Sequence, residues 1–80
     1  MNQQEALISI KKALNSTEAE YDEDELDLNT NLIEEGILDS LDAMSFLFEL
    51  EAVIDKKINE IDEEFEDFTI SKFVEILENY

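Results

Sequence analysis

Gly36-Ile37-Leu38-Asp39-Ser40-Leu41-Asp42 joins a long polar connection to a strongly apolar segment. Asp39 is a good N-cap, because its carboxylate can accept hydrogen bonds from backbone N–H groups of the first helical turn. Its negative charge also suits the positive end of the helix dipole. Gly36 allows a sharp turn before the cap. The stretch therefore predicts a helix that begins at Ser40, with the serine hydroxyl facing solvent.

The helix that follows has apolar residues on two sides. At about 100° per residue, one set forms an ordinary core-facing stripe. The members of this stripe are Phe46, Leu47, Leu50, Val53 and Ile54. A second set, Leu41, Met44 and Phe48, has i, i+3, i+7 spacing and lies roughly 150° away. One helix in an 80-residue domain can hardly bury both sides, so we expect the second to be partly exposed.

Two interpretations of this second side are open. Exposed apolar residues with a polar rim usually mark a contact site, and partner grooves recognise anchors with this spacing. Alternatively, Met44 and Phe48 are core residues under a loop. Ser40 is likewise either an ordinary serine at a helix start or a hydroxyl with a function.

The composition restricts the partners that the chain can have. Eighty residues form one domain with one modest core. The chain has 23 acidic and 5 basic residues, for a net charge of −18. Nucleic acid requires a basic footprint and is excluded as a direct partner, and an anionic membrane is disfavoured for the same reason. The charge favours partners with positive patches.

The residues that catalysis or metal binding would need are missing from the sequence. Without His or Cys, a zinc site or disulfide is not expected. An EF-hand loop starting at Asp27 fails, because Leu32 replaces the required Gly and Leu38 the bidentate Glu. Ser40 has no His as a base, so we expect no enzyme and no metal site. No signal peptide or membrane span is visible, which predicts a cytoplasmic protein.

The periodicity predicts an all-α fold, a small four-helix bundle with a long first crossover loop and a short third helix. The first helix covers residues 3–14, and the connection 16–39 is long enough for a bundle crossover. Its aliphatic residues predict an ordered loop, with one helical turn over 30–35. These residues are Leu26, Leu28, Leu32, Ile33, Ile37 and Leu38. The third helix is predicted over 62–67, Thr69 caps the last helix, and Tyr80 is expected to fray.

Asp39-Ser40-Leu41-Asp42, followed by an apolar and acidic helix, resembles the attachment motif of acyl carrier proteins and the related peptidyl and D-alanyl carriers. The match extends to the Gly-hydrophobic-hydrophobic lead-in and to about forty residues on either side. It therefore covers residues 1–80 as a single acyl-carrier-protein-like domain. The resemblance implies that Ser40 carries 4′-phosphopantetheine through a phosphodiester bond, and that the terminal thiol of this arm holds cargo as a thioester.

The resemblance also implies the partners. A phosphopantetheinyl transferase would load Ser40 from CoA with Mg²⁺, and acyl-transferring or acyl-ligating enzymes with basic docking patches would use the product. We expect a free-standing, monomeric carrier that performs no bond chemistry itself. The docking face would comprise Asp39, Leu41, Asp42, Met44 and Phe48.

The differences between this chain and the usual motif of fatty-acid carriers bear on the pathway. Housekeeping fatty-acid carriers usually place Gly-Ala ahead of the Asp, whereas this chain has Ile37-Leu38. In such carriers, acidic residues are common at the positions that Ser45 and Ala52 occupy in this chain. These differences favour a specialised carrier in lipid, polyketide or cell-surface pathways, with a D-alanyl or aminoacyl carrier as one alternative. Another is an acidic helical adaptor without a prosthetic group.

Overall fold

Three α-helices form the framework of the part of the chain that the structure describes. The computed structural model describes residues 1–61 and 65–80, and of Glu23 only the backbone. Helix α1 covers Gln3–Asn15, α2 covers Ser40–Ile54 and α3 covers Ile70–Leu77, with a 3₁₀ turn at Glu23–Glu25. Helix α1 packs against both α2 and α3.

The all-α class is confirmed, but the four-helix bundle is not. The described residues form three α-helices and no strand, apart from an isolated antiparallel bridge between Asn31 and Thr69. Of the short helix predicted over 62–67, residues 62–64 lie outside the described part of the chain, and 65–67 are not helical. Helix α1 ends at Asn15, one residue later than predicted.

Helix α1 begins with a capping box. The Asn2 side chain accepts a hydrogen bond from the Glu5 N–H at 2.8 Å, and the Glu5 carboxylate accepts one from the Asn2 N–H at 3.1 Å. Two N–H groups without helical partners are thereby satisfied. The helix then buries Ala6, Ile10, Ala13 and Leu14 against the other two.

Aromatic contacts join α2, α3 and the segment between them. The rings of Phe46 and Phe73 meet edge to face, with centroids 5.2 Å apart. Phe65 and Phe68 each lie within 5.6 Å of the Phe73 ring, measured between centroids. Such pairs add about 0.5–1.5 kcal/mol beyond area burial. Residues 65–68 are therefore held by side-chain packing although they form no helix.

The long connection is ordered where it crosses the segment before α3. The Leu32 N–H donates to the Phe68 carbonyl, and the Ile70 N–H donates to the Thr30 carbonyl, both at 2.9 Å. Leu32 is fully buried, together with Ile37 and Leu38. This confirms the predicted ordered loop. Two of its aliphatic residues, Leu28 and Ile33, are exposed.

One tight turn ends the connection. The Glu35 N–H donates to the Asn31 carbonyl at 3.0 Å, which closes the single helical turn that the sequence predicted. Gly36 follows with φ +75°, a left-handed conformation that favours glycine. A Cβ at Gly36 would meet no atom within 4 Å, so the requirement for glycine comes from the backbone conformation alone.

The C-terminus differs from expectation. The Tyr80 hydroxyl donates a hydrogen bond to Glu60 Oε1 at 2.8 Å and accepts one from the Asn59 N–H at 3.1 Å. Tyr80 thus anchors the segment after α2, and the prediction that it frays is wrong. Thr69 occupies the N-cap of α3 as predicted, but its hydroxyl donates to Asp67 Oδ1 at 2.7 Å and does not cap the helix.

The contact between Tyr80 and Glu60 can be tested by titration. The hydrogen bond to Glu60 raises the pKa of Tyr80, because the ionised phenolate would lose that bond and be repelled by the carboxylate. The contact therefore stabilises the fold below the ordinary tyrosine pKa of about 10, and its contribution is lost as pH rises through the higher folded-state value. We expect Glu60→Gln to lower the pKa of Tyr80.

Ultraviolet titration in a Tyr21→Phe background, where Tyr80 is the only tyrosine, measures this pKa. Glu66→Gln is the matched control, since Glu66 is exposed and has no part in the shift. An unchanged pKa in Glu60→Gln would contradict the contact.

Candidate functional site

Ser40 is the first residue of α2 and is exposed. Its hydroxyl forms no hydrogen bond with any residue that the structure describes. The oxygen is therefore accessible to another molecule, and no described group of this chain is bonded to it as a base. The expectation that Ser40 faces solvent at the helix start agrees with this geometry.

The cap at Asp39 fixes the start of α2. Asp39 has extended backbone angles, and its Oδ1 accepts a hydrogen bond from the Asp42 N–H at 2.8 Å. Its carbonyl accepts the first helical hydrogen bond, from the Ala43 N–H at 2.9 Å. The predicted N-cap is confirmed. Asp39 thus accepts hydrogen bonds from the Asp42 and Ala43 N–H groups. The N–H groups of Ser40 and Leu41, at the same end of the helix, have no acceptor within the helix.

The residues before the cap hold Ser40 outward. Ile37 and Leu38 are buried in the core, and the Leu38 N–H donates to the Leu32 carbonyl at 2.9 Å. The chain then passes from a buried Leu38 to an exposed Asp39 and Ser40. Because the buried residues are anchored, the serine is displayed at a fixed place on the rim of the domain.

An exposed apolar stripe runs along α2 beside Ser40. Leu41 is 82% exposed, Met44 51% and Phe48 67%. The opposite face of the helix is buried, and its members are Ala43, Phe46, Leu47 and Leu50. The interpretation of Met44 and Phe48 as core residues under a loop is therefore wrong. Such a stripe beside a reachable hydroxyl is typical of a contact surface.

The stripe is wider than the sequence indicated. Ser45 and Ala52 are also exposed, and helical geometry places both on the side of Leu41 and Phe48. The i, i+4 relations of Leu41 with Ser45 and of Phe48 with Ala52 would have identified both residues.

Carboxylates border the stripe. Asp39 and Asp42 lie at the Ser40 end, and Glu49 and Glu51 flank the helix further along, half-buried. Within the described residues no three acidic side chains form a group that could hold a metal ion. The chain has no histidine, and no described side chain is hydrogen-bonded to the Ser40 hydroxyl.

None of the helices that the structure describes is both long and apolar enough to cross a membrane. The candidate site itself consists of the exposed Ser40 hydroxyl, the exposed apolar stripe and the carboxylates that border it.

Comparison with known proteins identifies the class. The family model for the phosphopantetheine attachment site matches residues 10–77. The match covers most of the chain, which therefore belongs to this family of carrier proteins. No curated protein and no solved structure matched the chain.

Membership of the family defines the prosthetic group. The protein carries covalently bound 4′-phosphopantetheine, and it interacts with a phosphopantetheinyl transferase and with partner enzymes. Proteins of this family are carriers, generally non-catalytic, that a transferase modifies. The alternative of an acidic adaptor without a prosthetic group is thereby excluded.

The residues at the start of α2 fit such a group. A phosphodiester needs a reachable hydroxyl, and Ser40 offers one that forms no bond within the described chain. Backbone N–H groups and the positive end of the dipole at a helix N-terminus favour a phosphate. The Ser40 end of α2 provides both.

The cap that positions Ser40 can be tested separately from any modification. Asp39→Ala removes the acceptor for the Asp42 N–H, and we expect the free energy of unfolding to fall by about 1 kcal/mol. Asp39→Asn keeps an acceptor and should remain close to wild type. Urea unfolding followed by circular dichroism measures both. An equal loss in the two variants would show that the charge of Asp39, and not its hydrogen bond, stabilises α2.

Proposed function

We propose that this carrier holds its 4′-phosphopantetheine on Ser40 and presents acyl or aminoacyl groups as thioesters to partner enzymes. The observation that supports this most strongly is the exposed, unbonded hydroxyl of Ser40 at a capped helix start. It lies within the matched part of the chain, beside an exposed apolar stripe.

In this role the chain holds and presents the prosthetic group, and it does not itself make or break the bonds of the cargo. The prosthetic group, when bound, supplies the thiol that forms the thioester. Ser40 supplies the hydroxyl to which the transferase moves the phosphopantetheinyl group of CoA, with Mg²⁺. The Ser40 oxygen forms a bond to phosphorus, the pyrophosphate bond of CoA breaks, and the nucleotide part of CoA leaves. Tethering then raises the effective concentration of the cargo at a docked enzyme.

The docking face combines two kinds of contact. The carboxylates of Asp39 and Asp42 attract basic groups of the partner, which raises the rate of encounter and orients the complex. Leu41, Met44 and Phe48 supply the apolar area that a partner groove covers. Asp39 and Asp42 lie at the Ser40 end of α2, and the exposed stripe begins with Leu41, next to Ser40. A partner that binds this face therefore also reaches the attachment point.

The features of α2 favour a specialised carrier over the general fatty-acid one. Phe48 is large and exposed, and Ser45 and Ala52 leave the same side without a carboxylate. We propose a role in a lipid, polyketide or cell-surface pathway, with an aminoacyl or D-alanyl cargo as the alternative. The thioester on protein purified from its native host distinguishes these cargoes by mass.

The charge and composition favour a monomer in the cytoplasm. Copies with a net charge of −18 repel each other. A sequence without cysteine forms no disulfide, which is compatible with a reducing compartment.

The attachment point is tested by intact-mass analysis. After incubation with CoA, Mg²⁺ and a promiscuous transferase, we expect apo protein to gain the mass of one phosphopantetheine, whereas Ser40→Ala gains none. Ser45→Ala is the matched control, since this serine is exposed on the same helix, and it should be loaded like wild type. Loading of Ser40→Ala, or no loading of wild type, would refute the assignment.

The docking face is tested by transferase kinetics. We expect Leu41→Ala and Phe48→Ala each to lower kcat/KM for loading about tenfold, since each removes apolar area that a partner groove would cover. Both should leave the free energy of unfolding close to wild type. Ile8→Ala is the control, because Ile8 is 48% exposed on α1. An equal loss in Ile8→Ala would show that the effect is not specific to α2.

A further inference from the structure

Leu32 links the segment before α3 to the residues before Ser40 through both groups of its backbone. Its N–H donates to the Phe68 carbonyl, and its carbonyl accepts the Leu38 N–H, both at 2.9 Å. The side chains of Leu32 and Leu38 are buried, so both bonds lie in a region of low dielectric, which strengthens them. Leu38 directly precedes the Asp39 cap. The serine is therefore connected to Phe68 by a short path of backbone hydrogen bonds.

Three backbone hydrogen bonds hold the long connection against the start of α3 in the described part of the chain. Besides the Leu32 bond, the N–H groups of Ile70 and Ser71 donate to carbonyls of the connection, each at 2.9 Å. Asn31 and Thr69 form the antiparallel bridge at the centre of this set. We call the three bonds and the bridge the crossing. It joins segments that are distant in the sequence, so its geometry depends on how each segment is held.

Asp67 holds the backbone of Thr69 at the centre of the crossing. Its Oδ1 accepts hydrogen bonds from the Thr69 hydroxyl at 2.7 Å and from the Thr69 N–H at 3.1 Å. The bond from the hydroxyl, followed by that from the N–H, lowers the pKa of Asp67, because both favour the carboxylate. Phe68 and Ile70 flank Thr69 in the sequence. A fixed Thr69 therefore holds in place the Phe68 carbonyl and the Ile70 N–H, which pair with the connection.

We propose that Asp67 is a positioning residue for the loading of Ser40. By holding Thr69 it keeps the crossing closed, and the crossing holds Leu32 and, through it, Leu38 in front of the cap of α2. Asp67 takes no part in the bond changes of the reaction and acts only through the crossing. This inference rests on the proposed function, because it takes Ser40 as the attachment point.

Amide hydrogen exchange can detect whether the crossing behaves as a unit. Proteins open locally in cooperative units as well as globally. We expect the crossing to be one of these units, which opens while α1 remains formed. The N–H groups of Leu32 and Leu38 would then exchange through an opening that breaks the bonds of Asp67 and leaves the cap of α1 intact.

Three variants separate the hydrogen bonds of Asp67 from its charge and from general stability. Asp67→Ala removes both bonds to Thr69, whereas Asp67→Asn keeps a carbonyl oxygen as the acceptor and removes only the charge. Asn2→Ala is the matched control, because Asn2 also accepts a backbone N–H in front of a helix, at the start of α1. The measurements are amide exchange of the apo protein by NMR, and the kinetics of its loading by the transferase with CoA and Mg²⁺.

We expect Asp67→Ala to speed exchange at Leu32 and Leu38 about fivefold, the effect of losing an ordinary hydrogen bond. Asn2→Ala should leave exchange at both amides within about twofold of wild type. In Asp67→Ala, kcat/KM for the apo carrier should fall about threefold, since such reactions are sensitive to the place of the attacking oxygen. The KM for CoA should not change, because CoA binds to the transferase. Asp67→Asn should stay close to wild type in both measurements.

Equal exchange rates at Leu32 and Leu38 in Asp67→Ala and Asn2→Ala would overturn the inference, because the two sites would then share only global stability. An unchanged kcat/KM in Asp67→Ala would do the same, as would an equal loss in Asp67→Asn, since the charge would then be responsible. In each of these cases wild type would still be loaded on Ser40, so the proposed function would stand. Failure of wild type to be loaded would refute the proposed function and, with it, this role of Asp67.

Discussion

The hydrogen bond from the Asp42 N–H to the Asp39 carboxylate defines where α2 begins, and the place of Ser40 follows from it. On the other side of the cap, Leu38 is buried and bonded through its backbone to Leu32. The chain therefore changes from core to surface within two residues. The position of the Ser40 hydroxyl depends on two features, the buried Leu38 before it and the Asp39 N-cap of α2. Either feature alone would leave the serine without a defined position.

The surrounding fold keeps its charge at the surface. The buried residues of the described chain are hydrophobic except Thr30, whose hydroxyl donates to the Glu25 carbonyl at 2.6 Å. No buried side-chain nitrogen or oxygen among these residues lacks a partner. A net charge of −18 opposes compaction through self-repulsion. The aromatic contacts around Phe73 and the backbone bonds between the connection and α3 stabilise the fold against it.

One face of helix α2 packs in the core, and the opposite face is exposed to a partner. Phe46 and Leu50 are fully buried on one face, while Leu41 and Phe48 are exposed on the other. Sites on a packed helix are positioned more accurately than sites on loops. A carrier has to be recognised by a transferase and by other enzymes, so a rigid surface that also displays the attachment point suits the family to which this chain belongs.

Local chemistry made several features predictable from the sequence alone. The N-cap at Asp39, the helix start at Ser40, the turn at Gly36 and the two apolar sides of α2 all depend on neighbouring residues and on helical period, which a sequence displays directly. The family motif is equally local. The candidate site was therefore predictable from the sequence.

Other features depend on which distant residues meet, and only the tertiary structure decided them. Met44 and Phe48 have the spacing of core residues, yet nothing in the described fold covers them. Tyr80 is held because Glu60 and Asn59 lie within reach. Lys56 and Lys57 lie beside Ala52 because the left-handed cap at Asp55 ends α2 there. Periodicity shows which side chains share a face, but burial and charge neighbourhood arise from long-range packing that no local pattern encodes.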